Sequence, residues 1–223
     1  MTPAYPEFDS PDIADNERRS VQTVGVSRKT GLAIAALAAM WLAMLLLGAG
    51  PVDRDILLAL YAGSRPLLVS IARGFTALGE WPVVVLVSVA AAAWLAYRRD
   101  ASAALLLLAG TVVARLLVIV QKAGFDRLRP DEQLRLVEVS SKSFPSAHSA
   151  NSMLVYPLCA LLLAPPRWRR AALSGAVLLA LCIGSSRVLL GVHWPSDVLG
   201  GWSFGALSAL TILQIHSARA ASN

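Results

Sequence analysis

Charge is what this chain has least of. Asp, Glu, Lys and Arg make up 15% of its 223 residues, where a soluble globular chain carries about 25%. So few charges cannot coat a water-facing surface, which excludes an ordinary soluble domain. Cysteine is scarce too. Cys159 and Cys182 both fall inside apolar runs, with no C-x-x-C. They read as two small buried hydrophobes, not as a disulfide framework or a zinc site. No His/Cys/Asp cluster has metal-ligand spacing, so neither a metal nor another cofactor is expected. A basic face interleaved with aromatics is also missing. The net charge is +6, but Arg and Lys stand at the ends of apolar runs. That is the pattern of membrane orientation and not of a nucleic-acid surface, so no nucleic-acid partner is expected.

What is present is apolar residue in long blocks. The chain is 56% hydrophobic with a mean hydropathy of +0.60. Blocks of about 16 to 22 residues are long enough to cross a hydrocarbon core of about 30 Å as helices. The expected fold is all-α: a polytopic membrane protein, a bundle of about six transmembrane helices surrounded by membrane lipids. The spans fall near Gly31–Ala49, Pro82–Tyr97, Ala101–Gln121, Ser149–Ala164, Ala171–Leu190 and Pro195–Ile215. The second is short unless it begins upstream near Phe75. There is no internal repeat. Between Pro51 and Trp81, short apolar runs are broken by Asp53, Arg54, Asp55, Arg65 and Arg73, which suits one or two helices lying at the interface. Residues 1–28 lack apolar periodicity and read as a disordered cytoplasmic tail, with a six-span domain over residues 29–217. The tail is not a signal peptide, which would begin with a basic region and an apolar stretch. The short loops holding Arg98-Arg99 and Arg167 to Arg170 are cytoplasmic in style. The chain is then a multi-pass protein of the cell (inner) membrane with its other end outside the cytoplasm.

Three polar clusters sit at that outer end. The first is Lys122 to Arg129-Pro130, after the third span. The second is Ser143-Phe144-Pro145-Ser146-Ala147-His148, opening the fourth. The third is Ser186-Arg187 through His193 to Asp197, between the fifth and sixth. Lys122, Arg129 and Arg187 bring three cations to the membrane surface, two of them planar forks suited to phosphate oxygens. Pro145-Ser146 reads as a helix start, whose unpaired N–H groups at Ala147 and His148 face an anion, with the Ser146 hydroxyl as a further donor. His193 and Asp197 stand four residues apart at a Pro195 helix start. A carboxylate holding one imidazole nitrogen frees the other as a nucleophile, and His148 can protonate a leaving oxygen. Singly, each residue has a blander explanation: an interfacial His, a topology-setting Arg, a helix cap. Their joint spacing on one membrane face favours a phosphoryl-transfer site. Arg115, seven residues before Lys122, is either a structural ion pair within the bundle or a second anion contact below the phosphate.

At these residues the sequence resembles the type 2 phosphatidic acid phosphatase superfamily, whose signature is K-x6-R-P, P-S-G-H and S-R-x5-H-x3-D. The first and third elements match in full; in the second, Ala147 replaces the glycine and keeps its backbone N–H. The resemblance implies a metal-free lipid phosphatase acting on undecaprenyl diphosphate, phosphatidylglycerophosphate or phosphatidic acid. It implies His193 as the nucleophile that forms a phosphohistidine, Asp197 as its orienting partner and His148 as the general acid. It implies Lys122, Arg129, Arg187, Ser146 and Ala147 as phosphate ligands. Rival readings are a lipid phosphotransferase using the same histidine, a non-catalytic transporter or scaffold, and a vanadium-dependent haloperoxidase with a similar anion site. The intact reactive residues oppose the second rival, and the spans oppose the third.

Overall fold

The computed structural model describes residues 28–222; the expected tail lies outside them, except Arg28, which opens the first helix. The described chain is all-α. Its helices are α1 (Arg28–Leu47), α2 (Pro51–Leu60), α3 (Pro66–Leu78), α4 (Trp81–Tyr97), α5 (Ala101–Phe125), α6 (Ala147–Leu163), α7 (Arg169–Leu189) and α8 (Pro195–Ser222), with a 3₁₀ turn at Glu132–Leu134. Local chemistry sets the starts. Proline occupies the first turn of α2, α3 and α4 and heads α8, where no intrahelical N–H is lost. Asp100 caps α5 by accepting from the Ala103 N–H at 2.9 Å.

Helices α1, α5, α7 and α8 are each long and apolar enough to cross a membrane. The expected second span is found to be longer and broken: α3 and α4 together pass as one span, bent by 47° at Gly79-Glu80. The segment expected to lie at the interface is therefore divided, with α2 separate and α3 continuing into α4. Helix α6 has only 17 residues, about 25 Å of rise. It is also the central helix, packed by α4, α5, α7 and α8, with Leu154, Val155 and Leu158 at 1% exposure or less.

The α6–α8 contact fixes the site end of the bundle. A Cβ at Gly201 would stand 2.6 Å from the Ser146 carbonyl oxygen, and one at Gly205 would stand 2.3 Å from that of Ala150. These two glycines, one turn apart, let the backbones touch, as small residues do between membrane helices. The α6 start is pinned as well: the Ser146 N–H donates to the Asp197 carbonyl at 3.0 Å. Between α7 and α8 the chain reverses through Gly191 at φ +69°, a left-handed conformation that suits glycine. That turn delivers His193.

Candidate active site

A cavity of about 470 Å³ opens at the end of the bundle where α5 stops and α6 and α8 begin. Lys122, Arg129, Ala147, His148, Arg187 and His193 all line it. Three segments far apart in sequence thus meet as expected.

His193 is 2% exposed and Asp197 is fully buried. Asp197 Oδ2 accepts from His193 Nδ1 at 3.2 Å, from the Trp194 N–H at 2.9 Å and from the Ser143 hydroxyl. An ionised carboxylate only accepts, so Nδ1 carries the proton and Nε2 keeps its lone pair. His193 lines the cavity, and its Nε2 accepts from Arg129 Nη1 at 3.1 Å. Burial, then the charges of Arg129, Lys122, Arg187 and His148, hold the imidazole well below its usual range. It is therefore neutral at physiological pH, as a nitrogen nucleophile must be.

The cations are held by carbonyls and hydroxyls. Lys122 Nζ donates to the carbonyls of Lys142 and Ser143. Arg129 donates to the Ser141 and Val192 carbonyls, each at 2.6 Å, and burial pushes its guanidinium down to about 10. Arg187 is 3% exposed and donates to the Thr76 hydroxyl, while its Nε has no partner among the described residues. Among the described residues, none of the three forms an ion pair with a carboxylate. Buried charges without counter-ions are costly, and an anion in the cavity is what would compensate them. The first N–H groups of α6, at Ala147 and His148, point the positive end of the helix to the same place.

Ser146 departs from expectation. It does not line the cavity. It is fully buried as the α6 cap, its oxygen accepting from the Ser149 hydroxyl at 3.0 Å. Its place is to hold the helix start that offers the N–H groups. Arg115 also lines the cavity, and its guanidinium lies 5.2 Å from the Trp81 ring centroid. For the expected alternative of an ion pair within the bundle, Glu80 acts on Arg115 through its charge, but among the described residues no carboxylate lies within ion-pair distance of it.

Three residues escaped the sequence reading. Arg127, which had no role there, donates to Asp197 Oδ1 at 3.1 Å, to the Ser196 hydroxyl at 3.1 Å, and to the Met44 and Leu45 carbonyls. Its guanidinium also lies 4.4 Å from the Phe144 ring centroid. Ser143 holds the other Asp197 oxygen. Glu80, at the α3–α4 bend, accepts from His148 Nε2 at 3.3 Å. The available signals were positional: Arg127 stands two residues before Arg129 inside the first motif, and Ser143 heads the second cluster.

Comparison with known proteins supplies a context for this geometry. A family model described as the PAP2 superfamily matches residues 103–221. Phosphatidylglycerophosphatase B of Bacillus subtilis is 39% identical over 153 residues, covering 64% of this chain and 72% of that protein. Decaprenylphosphoryl-5-phosphoribose phosphatase of Mycobacterium tuberculosis is 35% identical over 149 residues, covering 64% and 77%. The crystal structure of a transmembrane PAP2-type phosphatidylglycerolphosphate phosphatase from Bacillus subtilis superposes with a TM-score of 0.73 at 31% identity, covering 83% of this chain and 96% of that one.

Proposed function

The chain belongs to the PAP2 superfamily and is a multi-pass membrane lipid phosphatase, and from that premise we propose that it releases phosphate from a lipid phosphate or diphosphate through a phosphohistidine on His193. The observation that carries this reading is the trio around one cavity, Lys122 and Arg187 buried and Arg129 half-buried, without carboxylate ion-pair partners among the described residues and beside a neutral His193. A phosphoryl group there supplies the missing negative charge, and its spreading charge in the transition state meets fixed donors. Undecaprenyl diphosphate, phosphatidylglycerophosphate and phosphatidic acid are the candidate substrates.

The steps follow from the geometry. His193 Nε2 attacks phosphorus while Asp197 holds Nδ1–H and takes up the charge of the forming phosphohistidine. The ester oxygen departs with the bonding pair and receives a proton from His148, which enters this step as the imidazolium paired with the Glu80 carboxylate. His148, now neutral, takes a proton from water, whose oxygen attacks the phosphorus. The N–P bond breaks, and phosphate leaves. No step needs a metal, and among the described residues no group of three His, Cys, Asp or Glu is placed to hold one. Purified protein in detergent should release phosphate from these lipids with undiminished rate in excess EDTA. Loss of activity restored by Mg²⁺ would overturn the mechanism.

The site is proposed to face away from the cytoplasm in the cell (inner) membrane. The support is the pairing of the Arg98-Arg99 and Arg167 to Arg170 loops at the opposite end of the bundle. Gln133 and Arg98 are both exposed and stand at opposite ends of α5. In a background lacking Cys159 and Cys182, Gln133→Cys should react with an impermeant maleimide in intact cells, and Arg98→Cys only after rupture. The reverse pattern would invert the topology.

A further inference from the structure

The cavity continues beyond the phosphate cage, and two polar side chains wait there. Arg115 precedes Lys122 by two turns of α5, about 10 Å along the axis. Asn151 follows His148 by about one turn of α6. Helix α5 reaches the site with its C-terminal end, and α6 leaves it from its N-terminal end. Both residues therefore step from the cage toward the middle of the bundle, and both line the same cavity.

Neither is engaged by the protein as its chemistry would require. Asn151 is 4% exposed, yet among the described residues its amide makes no hydrogen bond. The Arg115 guanidinium has the Trp81 ring face beneath it; among the described residues it donates no hydrogen bond, and Glu80 attracts it only from beyond ion-pair distance. The carboxylate at the cavity rim, Glu80, is taken by His148. An unpaired amide and a half-buried guanidinium opening onto one space inside a membrane bundle are costly unless something polar fills that space.

We propose that Arg115 and Asn151 form a second oxyanion subsite, which takes a phosphoryl group carried by the leaving part of the substrate. The inference rests on the phosphatase reading above and narrows it to lipids bearing two phosphoryl groups in series, of which a prenyl diphosphate is the simplest. The placement follows from the direction of the reaction. The attacked phosphorus sits by His193, the leaving oxygen by His148, and the lipid tail beyond it toward the bilayer. A phosphoryl group between reacting centre and tail comes opposite Asn151 and Arg115. As the bridging P–O bond breaks, that group gains negative charge, so the guanidinium binds it more strongly in the transition state than before. The Trp81 face holds the guanidinium in place without neutralising it. A lipid monophosphate gives this subsite nothing to bind.

The test compares farnesyl diphosphate with farnesyl monophosphate, using the full chain in detergent. Arg115→Gln should lose about 10- to 100-fold more kcat/KM on the diphosphate than on the monophosphate, the range of a charge-assisted hydrogen bond. Asn151→Leu should shift the ratio the same way, and Arg115→Lys should recover part of it. Calorimetric binding gives a readout independent of turnover: methylenediphosphonate should bind the unsubstituted protein at least about tenfold more tightly than inorganic phosphate, and Arg115→Gln should remove that preference. Equal losses on the two substrates, or a preference that survives Arg115→Gln, would overturn the subsite. No phosphate release from either farnesyl substrate by the unsubstituted protein would overturn the phosphatase reading instead, and the calorimetric comparison would still decide the subsite.

Discussion

His193→Ala should leave neither phosphate release nor acid-labile phosphate on the protein. The imidazole lines the cavity with one nitrogen 3.1 Å from Arg129, and gives the other to Asp197 at 3.2 Å. His148, the other imidazole lining the cavity, has its Nε2 engaged by Glu80. Removing a covalent nucleophile costs roughly 10⁴- to 10⁶-fold in turnover, below detection in a phosphate-release assay. The variant should still fold. Asp197 keeps Arg127, Ser143 and the Trp194 N–H, so its carboxylate is not stranded. Rapid acid-free quenching with radiolabelled substrate reads the intermediate, and size exclusion in detergent reads the fold. A well-folded His193→Ala protein that turns over within a hundredfold of the parent would remove the assignment.

His148→Ala should fail in proportion to how much the leaving group needs a proton. His148 lines the cavity and is oriented by Glu80 at 3.3 Å. A lipid alkoxide leaves badly without protonation, whereas an aryl phosphate releases a stabilised phenolate. A positioned general acid contributes about 10²- to 10⁴-fold. The variant should therefore lose up to that much more on a lipid monophosphate than on an activated aryl phosphate. Because His148 also activates water, radiolabelled phosphohistidine should accumulate when attack outpaces hydrolysis. Equal loss on both substrate types would show that His148 serves some purpose other than proton delivery.

The residues that meet at the cavity were legible because each stands in a short motif with fixed spacing: Lys122 with Arg129, Ala147 with His148, Arg187 with His193. Each motif straddles a helix end, and hydrophobic blocks betray helix ends even in a single sequence. The groups that hold them in place were not legible, because each reaches its partner across the fold. Arg127 meets Asp197 from 70 positions away, Ser143 from 54, and Glu80 meets His148 from 68. Asp53, on α2, accepts the Ser196 N–H from 143 positions away. Such a residue looks like any loop charge until the bundle closes. The broken α3–α4 span was half legible. Its charges at Arg65 and Arg73 suggested an interfacial segment, while continuity across Gly79-Glu80 depended on packing against α6 and α7. Ser146 was read correctly as standing at a helix start, but a capping hydroxyl engaged by Ser149 is not one turned to a ligand.

Helix α1 buries no residue completely and leans on α8, yet its last carbonyls, at Met44 and Leu45, are claimed by the same guanidinium that grips Asp197. During synthesis more than eighty further residues must follow α1 before Arg127 can reach those carbonyls. Asp197 and Ser196 arrive later still. The first described helix and the last part of the centre to be assembled are thus fastened by one side chain, so the site closes only once α1 and the start of α8 have both been made.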